Sequence, residues 1–431
     1  MIVRIGPSPV AGSIAAPTSK SFAQRAIAAA LLAGGQSVLR AVEPSGDVSA
    51  ALDAARALGT AVGAQGVASV GSSVGAAGAA DVGGDTYNIT GGLSPDAATV
   101  NIGESGLSAR LFIPVAALCD REITVTGRGS VLSRPFGMVE APLRSLGVEV
   151  RTSEGRLPVV LRGPLRGGEA AVDGSVSSQF ITGLLTALPV ASGDSVLRVS
   201  ALNSRPYINM TLDVLSQFGI SVEHNDFREF HIRGGQRYRP TDYRVEGDWS
   251  GASTLLVAGA VGGEICATNL NVASQQADAA ILEALRLCGA SVFLGSDSVR
   301  VVRNELRAFE FDATHCPDLF PALVALAASC TGVSVLRGAS RLAHKESDRA
   351  AALAAEFGRM GIAIDLSQPD VMRVTGGLMH GAELDSHNDH RIAMAVAVAA
   401  LNARGQTTIA RAEAVEKSYP AFWNVLKNIT I

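Results

Sequence analysis

The stretch Gly332-Val333-Ser334-Val335-Leu336 is a short β-rich run that follows an apolar segment, and it recurs with small changes along the chain. Related runs begin at residues 35, 121, 193, 263 and 405, so the intervals between successive starts range from 69 to 86 residues. Spacing this regular is typical of a repeated structural unit. The other copies are Gly35-Gln36-Ser37-Val38-Leu39, Arg121-Glu122-Ile123-Thr124-Val125, Gly193-Asp194-Ser195-Val196-Leu197, Gly263-Glu264-Ile265-Cys266-Ala267 and Gly405-Gln406-Thr407-Thr408-Ile409.

A second signal follows each run and predicts a helix that ends at a glycine, with a strand after it. Each unit therefore reads as strand, helix, strand, helix, strand, a βαβ-type repeat. Six repeats predict an α/β protein of two domains with three repeats each. Thr60 to Gly92 lengthens the first repeat and is expected to form strands with flexible turns. The glycine signals are Leu58-Gly59, Leu146-Gly147, Phe218-Gly219, Cys288-Gly289 and Met360-Gly361, and Lys427-Asn428-Ile429 is a degenerate sixth copy of this signal.

Length and composition agree with two separate cores. The chain has 431 residues, more than a single core usually serves, and 47% of them are hydrophobic. Aromatic residues make up only 5%, whereas there are 46 glycines, so small side chains should pack closely. The net charge of −4 excludes a general binder of nucleic acids or anionic membranes, which would carry a basic excess. Any anion site must be built locally.

Cysteines and apolar segments indicate a cytosolic protein. The five cysteines are odd in number and widely spaced, as expected for reduced, mostly buried thiols. The apolar segment from Ala26 to Gly34 follows a strand-like start and fits a helix of the first repeat better than a signal peptide. The uncharged segment from Leu319 to Leu336 contains Pro321 and Gly332, which divide it into helix, turn and strand rather than a membrane span.

Two clusters of charge stand out in a chain of which only 18% is charged, namely Lys345-Glu346-Ser347-Asp348-Arg349 and Asn388-Asp389-His390-Arg391. If the first cluster opens a helix, Lys345 and Arg349 lie four residues apart on one face. Cations are unfavourable at the start of a helix because the macrodipole already places partial positive charge there. A fold would tolerate them if an anion bound at that end. The alternative is a solvated helix start with internal ion pairs.

Further polar residues lie at predicted element boundaries, where α/β modules build their sites. Asp318 follows a proline at a helix start, a place suited to a capping carboxylate or a general base. Substrates with several carboxylates and phosphates would explain so many isolated cations. The other candidates are Lys20, Ser21 and Arg25, the loop from Glu104 to Arg110, Arg134, Ser177-Ser178-Gln179, Ser204-Arg205-Pro206-Tyr207 and Lys417.

Neither a metal nor a cofactor is predicted. His387 and His390 have the spacing of a ligand pair, but no suitable third ligand lies near them in the sequence. The chain contains no G-x-x-x-x-G-K-[ST] loop and no G-x-G-x-x-G loop after a strand, so nucleotide cofactors are not indicated.

In these motifs the chain resembles the 5-enolpyruvylshikimate-3-phosphate synthase family from Ser19-Lys20-Ser21 to Lys417-Ser418-Tyr419-Pro420. The resemblance implies a two-domain inside-out α/β barrel with three repeats in each domain, and substrates in the cleft between the domains. It places one domain, on the shikimate 3-phosphate side, at 19–245 and the other at 1–18 and 246–431. The matching motifs are Ser19-Lys20-Ser21 with Arg25, Ser177 to Phe180, Ser204 to Ile208, Val245 to Asp248, Pro317-Asp318, Lys345 to Arg349 and Asn388 to Arg391.

The resemblance also implies a reaction, in which the enolpyruvyl group of phosphoenolpyruvate passes to the 5-hydroxyl of shikimate 3-phosphate and phosphate is released. By resemblance, Asp318 would be the base, Glu346 the acid, and Lys20 would lie near the charges of the transferred group. The expected partners are these small anions, without nucleic acid or membrane, and a cytoplasmic monomer is expected. Shikimate 3-phosphate would be held by Lys20, Ser21, Arg25, Ser177, Ser178, Gln179, Ser204, Tyr207, Asp318 and Lys345, and phosphoenolpyruvate by Lys20, Gly106, Arg134, Gln179, Arg349, Arg391 and Lys417.

The chain departs from the family pattern at a few positions. Glu104 stands where the family usually has Asn, and Arg341 stands where Asn is common, so Arg341 is left out of the expected site. Two alternative functions remain open. One is enolpyruvyl transfer to UDP-N-acetylglucosamine, although the loop from Thr126 to Pro135 lacks the cysteine usual in that sister enzyme. The other is a non-catalytic anion-binding protein, which would bind more strongly without Asp318 and Glu346.

Overall fold

Half of the helices are buried on every side, and these form the centre of each folded unit. In the computed structural model, which describes residues 1–65, 84–175, 177–343 and 345–431, the helices divide into buried and amphipathic ones. Helices that are apolar all round belong in a core. The helices are α1 Lys20–Leu32, α2 Gly46–Ala57, α3 Gly106–Ala116, α4 Glu140–Ser145, α5 Ser178–Ala187, α6 Arg205–Gln217, α7 Trp249–Gly262, α8 Ile281–Leu287, α9 Phe320–Ala328, α10 Arg349–Arg359, α11 His390–Ala400 and α12 Phe422–Ile429.

Within the residues that the structure describes, the strands form six sheets, five of four strands and one of three. The strands are β1 Ile2–Ile5, β2 Val10–Ala15, β3 Gln36–Val42, β4 Ala61–Gln65, β5 Asp85–Thr90, β6 Thr99–Asn101, β7 Glu122–Thr126, β8 Glu149–Ser153, β9 Arg156–Arg162, β10 Gly168–Asp173, β11 Ser195–Ser200, β12 Glu223–Asn225, β13 Glu229–Ile232, β14 Asp242–Arg244, β15 Gly263–Thr268, β16 Ser291–Leu294, β17 Ser298–Val302, β18 Glu310–Asp312, β19 Gly332–Arg337, β20 Ala363–Asp365, β21 Val371–Gly376, β22 Glu383–Asp385 and β23 Thr407–Ala410.

One repeat shows the common plan of the sheets. Strand β10 pairs with β11 in parallel, β11 pairs with β13 antiparallel, and β13 pairs with β12 antiparallel. Along the chain this repeat is βαβαββ, so the predicted βαβαβ unit lacked one strand of the closing hairpin. The α/β class and the repeats predicted from the sequence are confirmed. At the degenerate sixth signal, the amphipathic helix α12 ends at Ile429 and buries Phe422, Leu426 and Ile429, and Thr430 then forms an isolated bridge with Val10.

The chain divides into two compact units, residues 18–246 and residues 1–17 with 247–431. Each has its own hydrophobic core. Two strands pair with partners that are distant along the chain. Strand β2 precedes α1 in the chain but pairs with β15, whereas β14 precedes α7 but pairs with β3. Each unit is thus completed by a strand that is distant in sequence.

In the unit of residues 18–246, α3 packs against α1 and α5. The backbones of α3 and α5 approach closely at Gly183, where an added Cβ would lie 2.3 Å from the carbonyl oxygen of Arg110. In the other unit, α7, α9 and α11 pack against one another, and every residue of α9 and α11 is buried.

None of the helices described is long and apolar enough to cross a membrane. Residues 66–83, which belong to the expected strands and turns between Thr60 and Gly92, lie outside the described residues.

Gly247 begins the longer segment of its unit at a point of very close packing. Its carbonyl accepts a hydrogen bond from Gln276 Nε2 at 2.7 Å, and an added Cβ would lie 1.7 Å from the backbone oxygen of Asn269. Backbone cannot yield as a flexible side chain can, so only glycine fits here.

We expect Gly247→Ala to lower the free energy of unfolding by roughly 2–3 kcal/mol, because the methyl group must displace backbone. The matched control is Gly358→Ala in α10, where an added Cβ meets nothing within 4 Å. That variant should be more stable than the parent by roughly 0.5–1 kcal/mol, because alanine favours the helix. Urea unfolding of both variants and the parent measures the difference. A Gly247→Ala protein as stable as the parent would show that the Asn269 backbone is not fixed.

Candidate active site

Only the end of the Lys345–Arg349 cluster belongs to a helix, so Lys345 and Arg349 do not share a helical face. Helix α10 begins at Arg349, and Asp348 caps it by accepting a hydrogen bond from Ala351 N at 3.1 Å. Lys345 and Glu346 lie in the bend before the cap. A capping aspartate competes better for the helix start than the lysine does. Tertiary ion pairs, rather than helical spacing, bring these charges together.

Arg349 is the centre of this cluster. Its side chain is 1% exposed and donates to three carboxylates: Nη1 to Asp318 Oδ1 at 2.8 Å, Nη2 to Glu346 Oε2 at 2.5 Å and Nε to Asp389 Oδ2 at 2.8 Å. Burial alone would lower the pKa of Arg349, but the carboxylates, Asp389 foremost, raise it well above its usual value. The planar guanidinium suits this role because its donors point in fixed directions.

Asp318 lies in the 3-10 turn that precedes α9 and is surrounded by cations. Besides Arg349, Lys345 Nζ lies 3.2 Å from Oδ1 and Arg391 Nη2 lies 3.3 Å from Oδ2. Burial raises the pKa of Asp318, but Arg391, Lys345 and Arg349 together lower it well below its usual value. Burial also lowers the pKa of Lys345. Asp318 is therefore held as a carboxylate by three neighbouring cations.

A further carboxyl group, that of Asp278, lies near this cluster and was not anticipated from the sequence. It is 4% exposed, and its Oδ1 accepts no hydrogen bond from the described part of the chain. Burial first, and then the negative charge of Asp318, raise the pKa of Asp278 to about 7. Close carboxylates cannot all ionise easily, so Asp278 keeps its proton to a higher pH than a free aspartate.

The fold loses stability from Asp278 as the pH rises. The folded-state pKa of about 7 exceeds the ordinary aspartate value of 3.8, so the contribution to stability is full below the unfolded-state pKa and is lost as the pH rises through 7. Asp278→Asn cannot ionise, so its stability relative to the parent should increase between pH 4 and pH 8. Urea unfolding of both proteins across this range measures the difference, in which the other carboxyl groups cancel. A constant difference would contradict the raised pKa.

In the other unit, Lys20 begins α1 and its Nζ lies 2.8 Å from Asp47 Oδ2. Arg25 lies one turn further and donates to the carbonyl oxygens of Ser21 and Tyr207 at 2.8 and 3.1 Å. Its Nε donates to the hydroxyl of Thr211 at 3.0 Å. Burial lowers the pKa of Arg25 to about 10. Arg25 thus joins the starts of α1 and α6, which carry three predicted site residues, Ser21, Ser204 and Tyr207.

A second group in this unit surrounds Gly106, the first residue of α3. An added Cβ there would lie 2.3 Å from Arg134 Nη1 and 3.3 Å from Arg110 Nη1. Arg110 donates to Gln179 Oε1 at 2.9 Å and lies over the ring of Phe136. Three predicted residues, Gly106, Arg134 and Gln179, are thereby brought together. Arg110 was among the sequence candidates as the end of the loop from Glu104, but it was assigned to neither substrate, although it lies one turn after Gly106.

The remaining predicted residues lie at helix boundaries. Ser177 caps α5 by accepting from Gln179 N, and Ser178 begins that helix and is buried. Lys417 ends a 3-10 turn, Ala412–Lys417, that packs against α11. Within the residues that the structure describes, no group of three or more His, Cys, Asp or Glu side chains could hold a metal.

Known proteins match this chain over nearly its whole length. Residues 5–426 match the family described as EPSP synthase (3-phosphoshikimate 1-carboxyvinyltransferase). The chain belongs to this family. Among its relatives, the 3-phosphoshikimate 1-carboxyvinyltransferase of Methanocella arvoryzae is 38% identical over 98% of this chain and 97% of its own, and that of Clostridium novyi is 34% identical over 99% and 97%.

Solved structures show the same two-domain α/β fold. The EPSP synthase of Acinetobacter baumannii aligns with a TM-score of 0.80 and 25% identity, covering 100% of this chain and 98% of its own. The enolpyruvyl transferase NikO of Streptomyces tendae aligns with a TM-score of 0.77 over 100% and 98% of the two chains. At 19% identity the second likeness concerns the fold alone.

Proposed function

We propose that this member of the family transfers the enolpyruvyl group of phosphoenolpyruvate to the 5-hydroxyl of shikimate 3-phosphate and releases phosphate, as a step in the synthesis of aromatic amino acids. The main support in the structure is that Arg349, almost wholly buried, donates to both Asp318 and Glu346. Two carboxylates on one guanidinium are close enough to serve the same substrate as base and acid. A protein that only binds anions would have no use for them.

In the proposed reaction, the 5-hydroxyl oxygen of shikimate 3-phosphate bonds to C2 of phosphoenolpyruvate while Asp318 accepts the hydroxyl proton. Glu346 would take up a proton when the anionic substrates bring their negative charge to the site, and it gives this proton to the methylene carbon, so the adduct carries a methyl group. Phosphate then leaves C2 with the bonding electrons and takes the proton held by Asp318, while the Glu346 carboxylate takes back a methyl proton and the double bond is restored. Each step conserves atoms and charge, and no cofactor is required.

The cations near Asp318 explain how it could become a base only in the complex. Lys345, Arg349 and Arg391 keep its pKa low, which makes it a poor proton acceptor in the free protein. Substrate phosphate and carboxylate groups would offset these positive charges and so raise the proton affinity of Asp318. Binding would thereby activate the base.

The substrates are proposed to bind polar groups of both units. For shikimate 3-phosphate we propose Lys20, Ser21, Arg25, Ser177, Ser178, Gln179, Ser204, Tyr207, Asp318 and Lys345. For phosphoenolpyruvate we propose Lys20, Gly106, Arg134, Gln179, Arg349, Arg391 and Lys417. Lys20 would lie near the charges of the transferred group. Because these residues come from both units, the proposal requires the two to act on the same ligands, in a cleft between the domains.

Phosphate release tests the function directly. The purified chain should release phosphate from phosphoenolpyruvate only when shikimate 3-phosphate is also present, and mass spectrometry should identify the enolpyruvyl ether. Release with UDP-N-acetylglucosamine instead would favour the sister reaction. Binding of both anions without release would favour an anion-binding protein. A cytoplasmic monomer is part of the same proposal, and light scattering would test the oligomeric state.

Glu346→Gln should leave the KM values close to those of the parent and slow turnover about 10²–10⁴-fold, because the amide keeps the shape but has no acidic proton. Steady-state phosphate release measures both quantities. Glu305→Gln is the matched control, since Glu305 is exposed and pairs only loosely with Arg307, at 3.6 Å. Turnover of Glu346→Gln near that of the control would remove Glu346 from the role of acid.

A further inference from the structure

A buried carboxylate outside the proposed active-site residues lies on the same helix as Arg349. Glu356 is seven residues after Arg349 on α10, which is two turns along the same face. Its side chain is only 1% exposed. A buried charge is costly unless it is paired, so the partners of Glu356 indicate its role.

Those partners belong to the turn that precedes α11. Glu356 Oε1 lies 2.8 Å from His387 Nε2, and Oε2 accepts a hydrogen bond from Asp385 N at 3.0 Å. A weaker contact, at 3.4 Å, joins Oε2 to the exposed Arg359. The carboxylate therefore holds both ends of a three-residue segment, Asp385 to His387.

This turn has an unfavourable backbone. His387 and Asn388 adopt left-handed conformations, with φ of 53° and 55°, which non-glycine residues adopt only where their surroundings enforce it. Hydrogen bonds enforce it here: His387 N donates to Asp385 Oδ1 at 2.7 Å, and Asn388 N to Ser386 Oγ at 3.1 Å. The strained turn delivers the next residue, Asp389, to the start of α11.

Asp389 closes a ring of contacts. It is fully buried, accepts from Arg391 N at 2.9 Å and accepts from Arg349 Nε at 2.8 Å. The ring runs from Arg349 along α10 to Glu356, across to His387, through the turn to Asp389 and back to Arg349. Two arginines proposed to bind phosphoenolpyruvate thus depend on one strained turn for their placement.

We propose that Glu356 and His387 are positioning residues that set the geometry of Arg349 and Arg391 for phosphoenolpyruvate. The pair contacts no substrate itself. It acts by fixing the turn, and its loss displaces the anion-binding arginines without removing a charge from the site. This proposal rests on the proposed function.

His387→Asn tests the pair, because asparagine tolerates the left-handed backbone but is too short to reach Glu356. We expect the KM for phosphoenolpyruvate to rise about tenfold or more, as small misplacements at an active site are costly. The KM for shikimate 3-phosphate should change less than about twofold, because most of its proposed ligands lie in the other unit. Arg359→Ala is the control, since it removes the other ion partner of Glu356 and should leave both KM values unchanged.

Two Glu356 variants separate positioning from plain stability. Glu356→Gln preserves hydrogen bonds to the turn and should stay near the parent, whereas Glu356→Ala should raise the KM for phosphoenolpyruvate as His387→Asn does. The double variant, His387→Asn with Glu356→Ala, should raise the KM for phosphoenolpyruvate no more than either single change does, because both changes break the same contact between Glu356 and His387. A lower unfolding midpoint with normal KM values, or equal rises for both substrates, would overturn the proposal. An inactive parent would instead refute the proposed function.

Discussion

A single buried guanidinium organises the unit that carries the two charged motifs. Arg349 is 1% exposed, and it joins Asp318 before α9, Glu346 before α10 and Asp389 before α11. Removing one partner from a buried ion network leaves uncompensated charge, at a cost of about 3–5 kcal/mol. The starts of three helices are therefore fixed relative to one another by one side chain, and the proposed chemistry depends on their mutual placement.

The charges of this cluster are balanced without substrate. Lys345, Arg349 and Arg391 are matched by Asp318, Glu346 and Asp389, so the cations remain paired in the free protein. Anionic substrates would compete with the carboxylates for the same donors. Substrate binding and the basicity of Asp318 are thereby coupled. Each cation that pairs with a substrate phosphate or carboxylate lowers the pKa of Asp318 less than it does in the free protein.

Local sequence patterns predicted the repeated elements because each depends on neighbouring residues. The glycines expected to end helices do adopt left-handed conformations, as at Gly147 (φ 83°) and Gly361 (φ 91°). The fourth strand of each four-stranded sheet was missed, and the sequence analysis predicted no pairing partner for β2 or β14. Pairing between strands such as β14 and β3 joins residues about 200 apart, and no local pattern encodes it.

Sequence motifs pointed to residues that the structure brings together, but they did not give the geometry of the contacts. Asp318, Lys345, Arg349 and Arg391 all belong to such motifs, whereas a common helical face for Lys345 and Arg349 was considered and does not occur, because α10 begins only at Arg349. Contacts such as Arg349 to Asp389 join residues forty positions apart, and burial determines which of them form. Asp278 escaped notice for the same reason, since its raised pKa arises from burial and from Asp318 rather than from its sequence neighbours.

Replacing Arg349 with lysine tests most directly whether this guanidinium organises the site. Lysine keeps the positive charge but cannot donate in a fixed fork to three carboxylates. With both substrates saturating, turnover by the folded Arg349→Lys protein should fall by roughly 10²–10³-fold, as for the loss of a preorganised donor. Turnover within about threefold of the parent would contradict the central role of Arg349, because a point charge alone would then suffice.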